Sequence, residues 1–245
     1  MNDPISSARE PWTRVAIPLV RMIAAVASRP DYRGREHIPR TGGVILAANH
    51  LANVDPVLLA RFVLEQGRIP RFLAKNPLFE TFAVGRILRG ARQIPVYRDR
   101  GNASDALAAA AAALRAGELV VIYPEGTWTS DPDWWPMLAR NGVARLAFET
   151  GVPVVPVAHW GAQTVIGPGW RARPRQRYTV LAGPAVFARP VGDTPTETPV
   201  PSPAALQEFT GSVMRRIRDQ LAQVRGCPAP ELVWDPQRRE RVPPA

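Results

Sequence analysis

Cross-linking cysteines, lysine and long apolar runs are nearly missing from this chain of 245 residues. The single cysteine, Cys227, excludes an intrachain disulfide framework and a cysteine-built zinc site, and it fits a reduced, cytosol-facing compartment. Three histidines are scattered over separate blocks without a His-x-x-x-His spacing, so no metal is expected. No Gly-x-Ser-x-Gly supplies a nucleophile elbow, and no glycine-rich run ending in Gly-Lys-Ser/Thr supplies a phosphate loop, which removes the common hydrolase and nucleotidase designs. The longest apolar stretch, residues 15–27, is interrupted by Pro18 and Arg21. It falls short of the roughly 20 residues that span a bilayer, and the same two interruptions spoil a secretory signal. It reads instead as an amphipathic helix packed on the protein or lying at an interface.

What the chain does have is apolar content of 46% and 31 basic against 21 acidic side chains, a formal charge of +10. The first builds a real core and the second favours anionic partners. Lys75 is the one lysine among these cations. Short apolar blocks alternate with helical patterns. Residues 43–48, 72–74, 94–97, 119–123 and 152–158 read as strands, most of them apolar on both faces. Residues 57–64, 78–88, 103–115 and 142–150 read as the helices between them. This order implies a single α/β layered domain with a mostly parallel central sheet flanked by helices, and such sheets collect functional residues where strands end. The expected organisation is an N-terminal interfacial helical segment (1–30), the α/β domain (31–189), a proline-rich connection (190–203), a closing helix (204–225) and a mobile or surface-bound Pro/Arg-rich tail (226–245).

The segment Ala48-Asn-His-Leu-Ala-Asn-Val-Asp-Pro56 sets His50 and Asp55 five positions apart between a strand end and a helix start. A turn can join them. The carboxylate would then fix the imidazole tautomer and leave the other ring nitrogen to take a proton from a hydroxyl. Downstream, Val121-Ile-Tyr-Pro-Glu-Gly-Thr127 ends a buried strand with a carboxylate and a permissive glycine, and Gln93-Ile-Pro-Val-Tyr-Arg98 places a guanidinium after another strand.

Taken in order, Asn49-His50 to Asp55-Pro56, Ile94 to Arg98, Tyr123 to Thr127 and Val152 to Val157 resemble the four blocks of the glycerolipid acyltransferases, the family of 1-acylglycerol-3-phosphate acyltransferases. The resemblance covers residues 34–183 and implies a glycerol-3-phosphate acyltransferase-like fold. It implies that His50 deprotonates the acceptor hydroxyl while Asp55 orients it, with attack on an acyl thioester and no covalent enzyme intermediate. Arg98, Glu125, Gly126, Thr127 and Lys75 are then expected to hold the acceptor's glycerol phosphate, a task to which the forked donors of a guanidinium are suited. The implied partners are a lysophospholipid acceptor, an acyl-CoA or acyl carrier protein thioester as co-substrate rather than a cofactor, and an anionic membrane surface. The expected place is the cytoplasmic face of the plasma membrane; no nucleic acid is expected, and the sequence fixes no oligomeric state.

One departure stands out: where the family usually continues Glu-Gly-Thr with Arg, this chain has Trp128 and then Asp131-Pro-Asp-Trp-Trp-Pro-Met137. Together with Val157-Ala-His-Trp-Gly161, this looks most like the actinobacterial branch, some of whose members acylate other acceptors, including mannosylated phosphoinositides. The tryptophans serve equally well as packing or as bilayer-interface anchors. His37 and His159 read as structural. Four arginines between Trp170 and Tyr178 suit nucleic acid or lipid head groups. A non-catalytic basic module would use them, but it leaves His50, Asp55 and Glu125 unexplained.

Overall fold

A computed structural model describes residues 11–97, 103–167, 171–188 and 200–244. The elements run α1 (Pro11–Ala27), β1 (Ser28–Arg33), a 3-10 turn (Arg35–His37), β2 (Val44–Ala48), α2 (Asp55–Leu64), β3 (Pro70–Lys75), α3 (Pro77–Glu80), α4 (Phe82–Gly90), β4 (Ile94–Val96), α5 (Ala103–Arg115) and β5 (Leu119–Ile122). Then follow α6 (Gly142–Thr150), β6 (Val154–Trp160), α7 (Ala162–Val165), β7 (Ile166–Gly167), β8 (Arg171–Ala172), β9 (Gln176–Ala182), α8 (Pro203–Arg225), β10 (Val233–Asp235) and β11 (Glu240–Val242).

Seven strands form one sheet in the order β1-β9-β6-β2-β5-β3-β4. The run from β6 to β4 is parallel, whereas β9 is antiparallel to β6, and β1 pairs in parallel with β9. The α/β reading with a mostly parallel central sheet therefore holds. Along β2 and β5 successive side chains go to opposite faces, as a pleated strand requires. Val44, Leu46, Ala48, Leu119 and Val121 join the layer under α1 and α2, while Ile45, Ala47, Val120 and Ile122 join the layer under α5, α6 and α8. Both layers are dry, which is why these strands read as unbroken apolar blocks rather than alternating ones.

Three details differ from the sequence pattern. The expected helix over 78–88 is split at Thr81 into α3 and α4, because Thr81 is extended and its hydroxyl bonds the carbonyl of Leu78. The sheet begins at Ser28, inside the segment expected to be a separate N-terminal helix, since β1 pairs along its whole length with β9. The stretch 226–245, expected as a mobile or surface-bound tail, contains the hairpin β10–β11, and this hairpin is bonded to the body of the protein as described below. Most of the proline-rich connection lies outside the described residues. Among the described residues no helix is long and apolar enough to cross a membrane.

Candidate active site

Parallel pairing sends the ends of β2, β3, β4, β5 and β6 to one edge of the sheet, and Ala48 stands opposite Val157 while Ala47 stands opposite Ile122. Asn49 and His50 therefore leave β2 beside Tyr123 and His159. The carbonyl of Ala52 accepts the Asp55 amide, and this turn folds the start of α2 back onto the strand end. The carboxylate of Asp55 does not cap α2, whose N-cap is Val54. It reaches backward instead, so that Oδ2 accepts from the amides of Leu51 (2.5 Å) and Ala52 (2.9 Å) and from His50 Nδ1 (2.7 Å). Asp55 is fully buried, and the His50 side chain keeps 14% of its surface open. A carboxylate oxygen only accepts, so Nδ1 carries the hydrogen and Nε2 is left with a free lone pair. An imidazole held in this way can accept a proton at Nε2 while the carboxylate at Nδ1 stabilises the charge it gains.

The ring is held from one side by Tyr123, stacked at 4.2 Å and 16°, and is met edge-on by Trp128 at 6.4 Å and 78°. Lys75, exposed at the end of β3, places its Nζ 5.1 Å from the centre of the Trp128 indole. A cation on an aromatic face is attracted by the ring quadrupole without losing access to water. Trp128, a tryptophan that sequence reasoning left between packing and membrane anchoring, thus stands between His50 and the cation of Lys75, a residue expected at the site.

The resemblance gives Glu125 a share in gripping the acceptor, but it is buried, Oε1 accepts from the His50 amide at 3.0 Å and Oε2 from the Met137 amide at 2.9 Å. Burial pushes its carboxyl up to about 8 against the pull of those two amides. Glu125 is a brace between the loop that carries His50 and the loop after Trp128. A second tie joins them, from the Thr129 amide to the His50 carbonyl at 2.8 Å.

The same loop is clasped by the C-terminal hairpin. Arg241 bonds both Asp131 (3.0 Å) and Asp133 (2.8 Å), Trp234 Nε1 donates to Ser130, and the Leu138 amide donates to the Trp234 carbonyl. Arg225, at the end of α8, lies 4.3 Å over both Trp135 and Trp160. Asp131, Trp135, Trp160 and the tail, which looked like separate features of the sequence, form one cluster that fixes the loop from Trp128 to Met137.

Of the remaining expected residues, Gly126 takes φ +74°, a left-handed turn that favours glycine, with the Arg140 side chain against it. Thr127 is half-buried beside it, and Arg98 lies outside the described residues. His37 bonds the Ala182 carbonyl and is structural. His159 is fully buried and locked reciprocally to Asn49: its amide donates to Asn49 Oδ1, Asn49 Nδ2 donates to its carbonyl, and its Nε2 donates to the Asn49 carbonyl at 2.6 Å. Burial pushes its imidazole below the usual histidine range, so the ring is neutral. It stands only 3.7 Å from Asp55 Oδ2, closer to the base than a purely structural reading anticipates. Asn49 and Tyr123 open two of the four sequence blocks without a task of their own in that reading, and His159 was read as structural.

Similarity to known proteins agrees with this geometry. A family model described as Acyltransferase matches residues 29–160. The 1-acyl-sn-glycerol-3-phosphate acyltransferase of Pseudomonas aeruginosa is 32% identical over 217 residues, covering 87% of this chain and 76% of that protein. The protein of the same name from Bacillus subtilis is 28% identical over 142 residues, covering 58% of this chain and 68% of that protein. Among solved structures, the 1-acyl-sn-glycerophosphate (LPA) acyltransferase of Thermotoga maritima superposes with a TM-score of 0.64 at 22% identity, over 87% of this chain and 82% of its own. With the family model spanning more than half of its length and the Pseudomonas aeruginosa relative 32% identical over three quarters of that protein, the chain belongs to the glycerolipid acyltransferase family and is an acyltransferase.

Proposed function

We propose that the protein transfers a fatty acyl group from a thioester of coenzyme A or acyl carrier protein to the free hydroxyl of 1-acylglycerol 3-phosphate, forming phosphatidic acid. The observation that carries this reading is the 2.7 Å bond from His50 Nδ1 to a buried Asp55 carboxylate, which leaves Nε2 as the free base, with the exposed Lys75 over the Trp128 ring that meets His50 edge-on. Nε2 takes the proton of the acceptor hydroxyl as its oxygen attacks the thioester carbonyl; the carbon–sulfur bond breaks, and the proton passes to the departing thiolate. Asp55 stabilises the transient imidazolium. Lys75 draws the acceptor's phosphate to this edge, Gly126 and Thr127 line its approach, and Arg98, outside the described residues, is assigned to the same phosphate by the family resemblance alone.

The bilayer reading of the partner rests on exposed apolar side chains of adjacent helices. Met22, Ile23 and Val26 of α1 and Phe82 and Val84 of α4 are all more than two-fifths exposed, and α1 packs against α4. Because β9 is antiparallel to β6, its basic leading segment and the end of α1 lie at the same edge as His50; the Arg175 amide bonds the Val26 carbonyl. Apolar insertion flanked by cations is how a peripheral protein holds an anionic surface, here the cytoplasmic face of the plasma membrane.

A second acceptor class is favoured by one feature, Trp128, which is 40% exposed next to His50. The test is thiol release from palmitoyl-CoA with lysophosphatidate, glycerol 3-phosphate, lysophosphatidylinositol and a mannosylated phosphoinositide, with products identified by mass spectrometry. Phosphatidic acid from lysophosphatidate is the expected result. Turnover with the mannolipid alone would keep the chemistry and move the acceptor, and the same panel with an acyl carrier protein thioester decides the donor.

A further inference from the structure

Behind the His50–Asp55 pair, on the α2 side of the sheet, polar atoms gather that the chemistry above does not use. Asp55 Oδ1, His159 Nδ1 and the hydroxyls of Tyr123 and Tyr178 are sealed from solvent and make no hydrogen bond to any described group; the Tyr32 hydroxyl is in the same condition. These residues come from α2, β6, β9, the end of β5 and β1, so five separate elements converge here. Their proximity is fixed independently: His159 Nε2 is 3.7 Å from Asp55, the rings of His159 and Tyr178 are centred 5.6 Å apart, and Tyr123 stacks on His50. Apolar side chains close the region, with Phe62 against Tyr32 and Phe72 against Tyr123.

The chemistry of the atoms is complementary. Because His159 Nε2 donates to a backbone carbonyl, Nδ1 is a bare acceptor, and Asp55 Oδ1 is an acceptor as well. The tyrosine hydroxyls are donors. Two acceptors facing two donors is the valence of one water molecule, and buried polar groups left unpaired by protein are where such waters reside, each making about three bonds.

We propose that a resident water, held by Asp55 Oδ1, His159 Nδ1 and the hydroxyls of Tyr123 and Tyr178, sits behind the base pair, and that these tyrosines are positioning residues that act on His50 through Asp55. The inference rests on the reading of His50 as general base. Its mechanism is electrostatic. Bonds to Oδ1 spread the Asp55 charge, so the carboxylate pulls less strongly on the His50 proton. The groups that face Asp55 are His50, His159, Tyr123, Tyr178 and, across the loop, Glu125.

Two measurements on the full chain test this. A high-resolution crystal structure of the wild type should show a water peak within hydrogen-bond distance of Asp55 Oδ1 and of at least two of His159 Nδ1, Tyr123 and Tyr178. Direct pairing of those atoms, or the absence of the peak, would overturn the site whether or not the enzyme is active on any acceptor tested. The second is the pH dependence of kcat/KM for Tyr178→Phe and Tyr123→Phe, which keep the buried rings. Loss of a donor should move the acidic limb up by about 0.5–1 pH unit, a three- to tenfold loss below the limb with a nearly unchanged plateau. A uniform loss at all pH values, or an unmoved limb, would make the tyrosines structural only.

Discussion

Replacing Asp55 by Asn isolates the charge of the base pair from its shape. In the wild type all three donors, His50 Nδ1 and the amides of Leu51 and Ala52, converge on Oδ2, and no described protein donor meets Oδ1. An asparagine can therefore turn its oxygen to the three donors and its NH2 to the other side, where the proposed water can accept from it by turning its own hydrogen away. What it removes is the negative charge next to a ring that becomes positive only as the acceptor is deprotonated. With charge centres about 4 Å apart and an effective dielectric of about 20, that attraction is worth at most about 4 kcal/mol, and a charge-assisted hydrogen bond alone about 1.5–3 kcal/mol. Each 1.36 kcal/mol is tenfold in rate, so kcat should fall by about 10–10³. KM for either substrate should stay within about threefold, because Asp55 is fully buried and touches neither. Thiol release at saturating palmitoyl-CoA and lysophosphatidate reads this directly, with a thermal melt to confirm the fold. A kcat within threefold of the wild type, or a loss carried by KM, would refute the reasoning.

The Glu125 brace gives a pH signature. Its carboxyl is raised from 4.5 to about 8 in the folded protein, so the folded state holds the proton more tightly than the unfolded one. Its stabilising share is complete below about pH 4.5 and is lost as pH rises toward 8. Glu125→Gln should be less stable at pH 6 by about 1–3 kcal/mol, because one acceptor oxygen replaces two, and its melting temperature should decline less between pH 6 and 8.5. Arg241→Ala leaves Asp131, whose side chain is 1% exposed, without its cation, and should cost about 1–3 kcal/mol in urea melts with a severalfold drop in kcat as the loop over Glu125 loosens. Lys75→Ala should raise the acceptor KM about tenfold, an effect that shrinks with added salt, while kcat holds. Phe82→Ser should weaken cosedimentation with anionic vesicles and leave turnover of a detergent-dispersed acceptor unchanged; equal vesicle binding would remove α4 from the membrane-facing surface.

Apolar runs bounded by turn residues made β2, β5 and β6 legible, because strands covered on both faces have nothing but side-chain apolarity to present. His50 and Asp55 were legible because strand end, turn and helix start are all written locally within residues 48–56. Glu125 was found, but nothing in Pro-Glu-Gly says that its two oxygens meet amides of residues 50 and 137. The C-terminal hairpin was hidden for the same reason. Its strands are three residues each, rich in Arg, Glu and Asp, and their order comes from Arg241 meeting Asp131 and Asp133 more than 100 positions away. The edge strand β1 carries Pro30 and charged residues, which mask a strand whose partner is supplied by β9 alone.

The central claim, that the Nε2 of His50 takes the acceptor's proton, is met most directly by His50→Ala assayed with palmitoyl-CoA and lysophosphatidate. The account predicts a loss of at least about 10²-fold in kcat, with the melting temperature and vesicle binding close to the wild type. Turnover within tenfold of the wild type in a folded variant would contradict it.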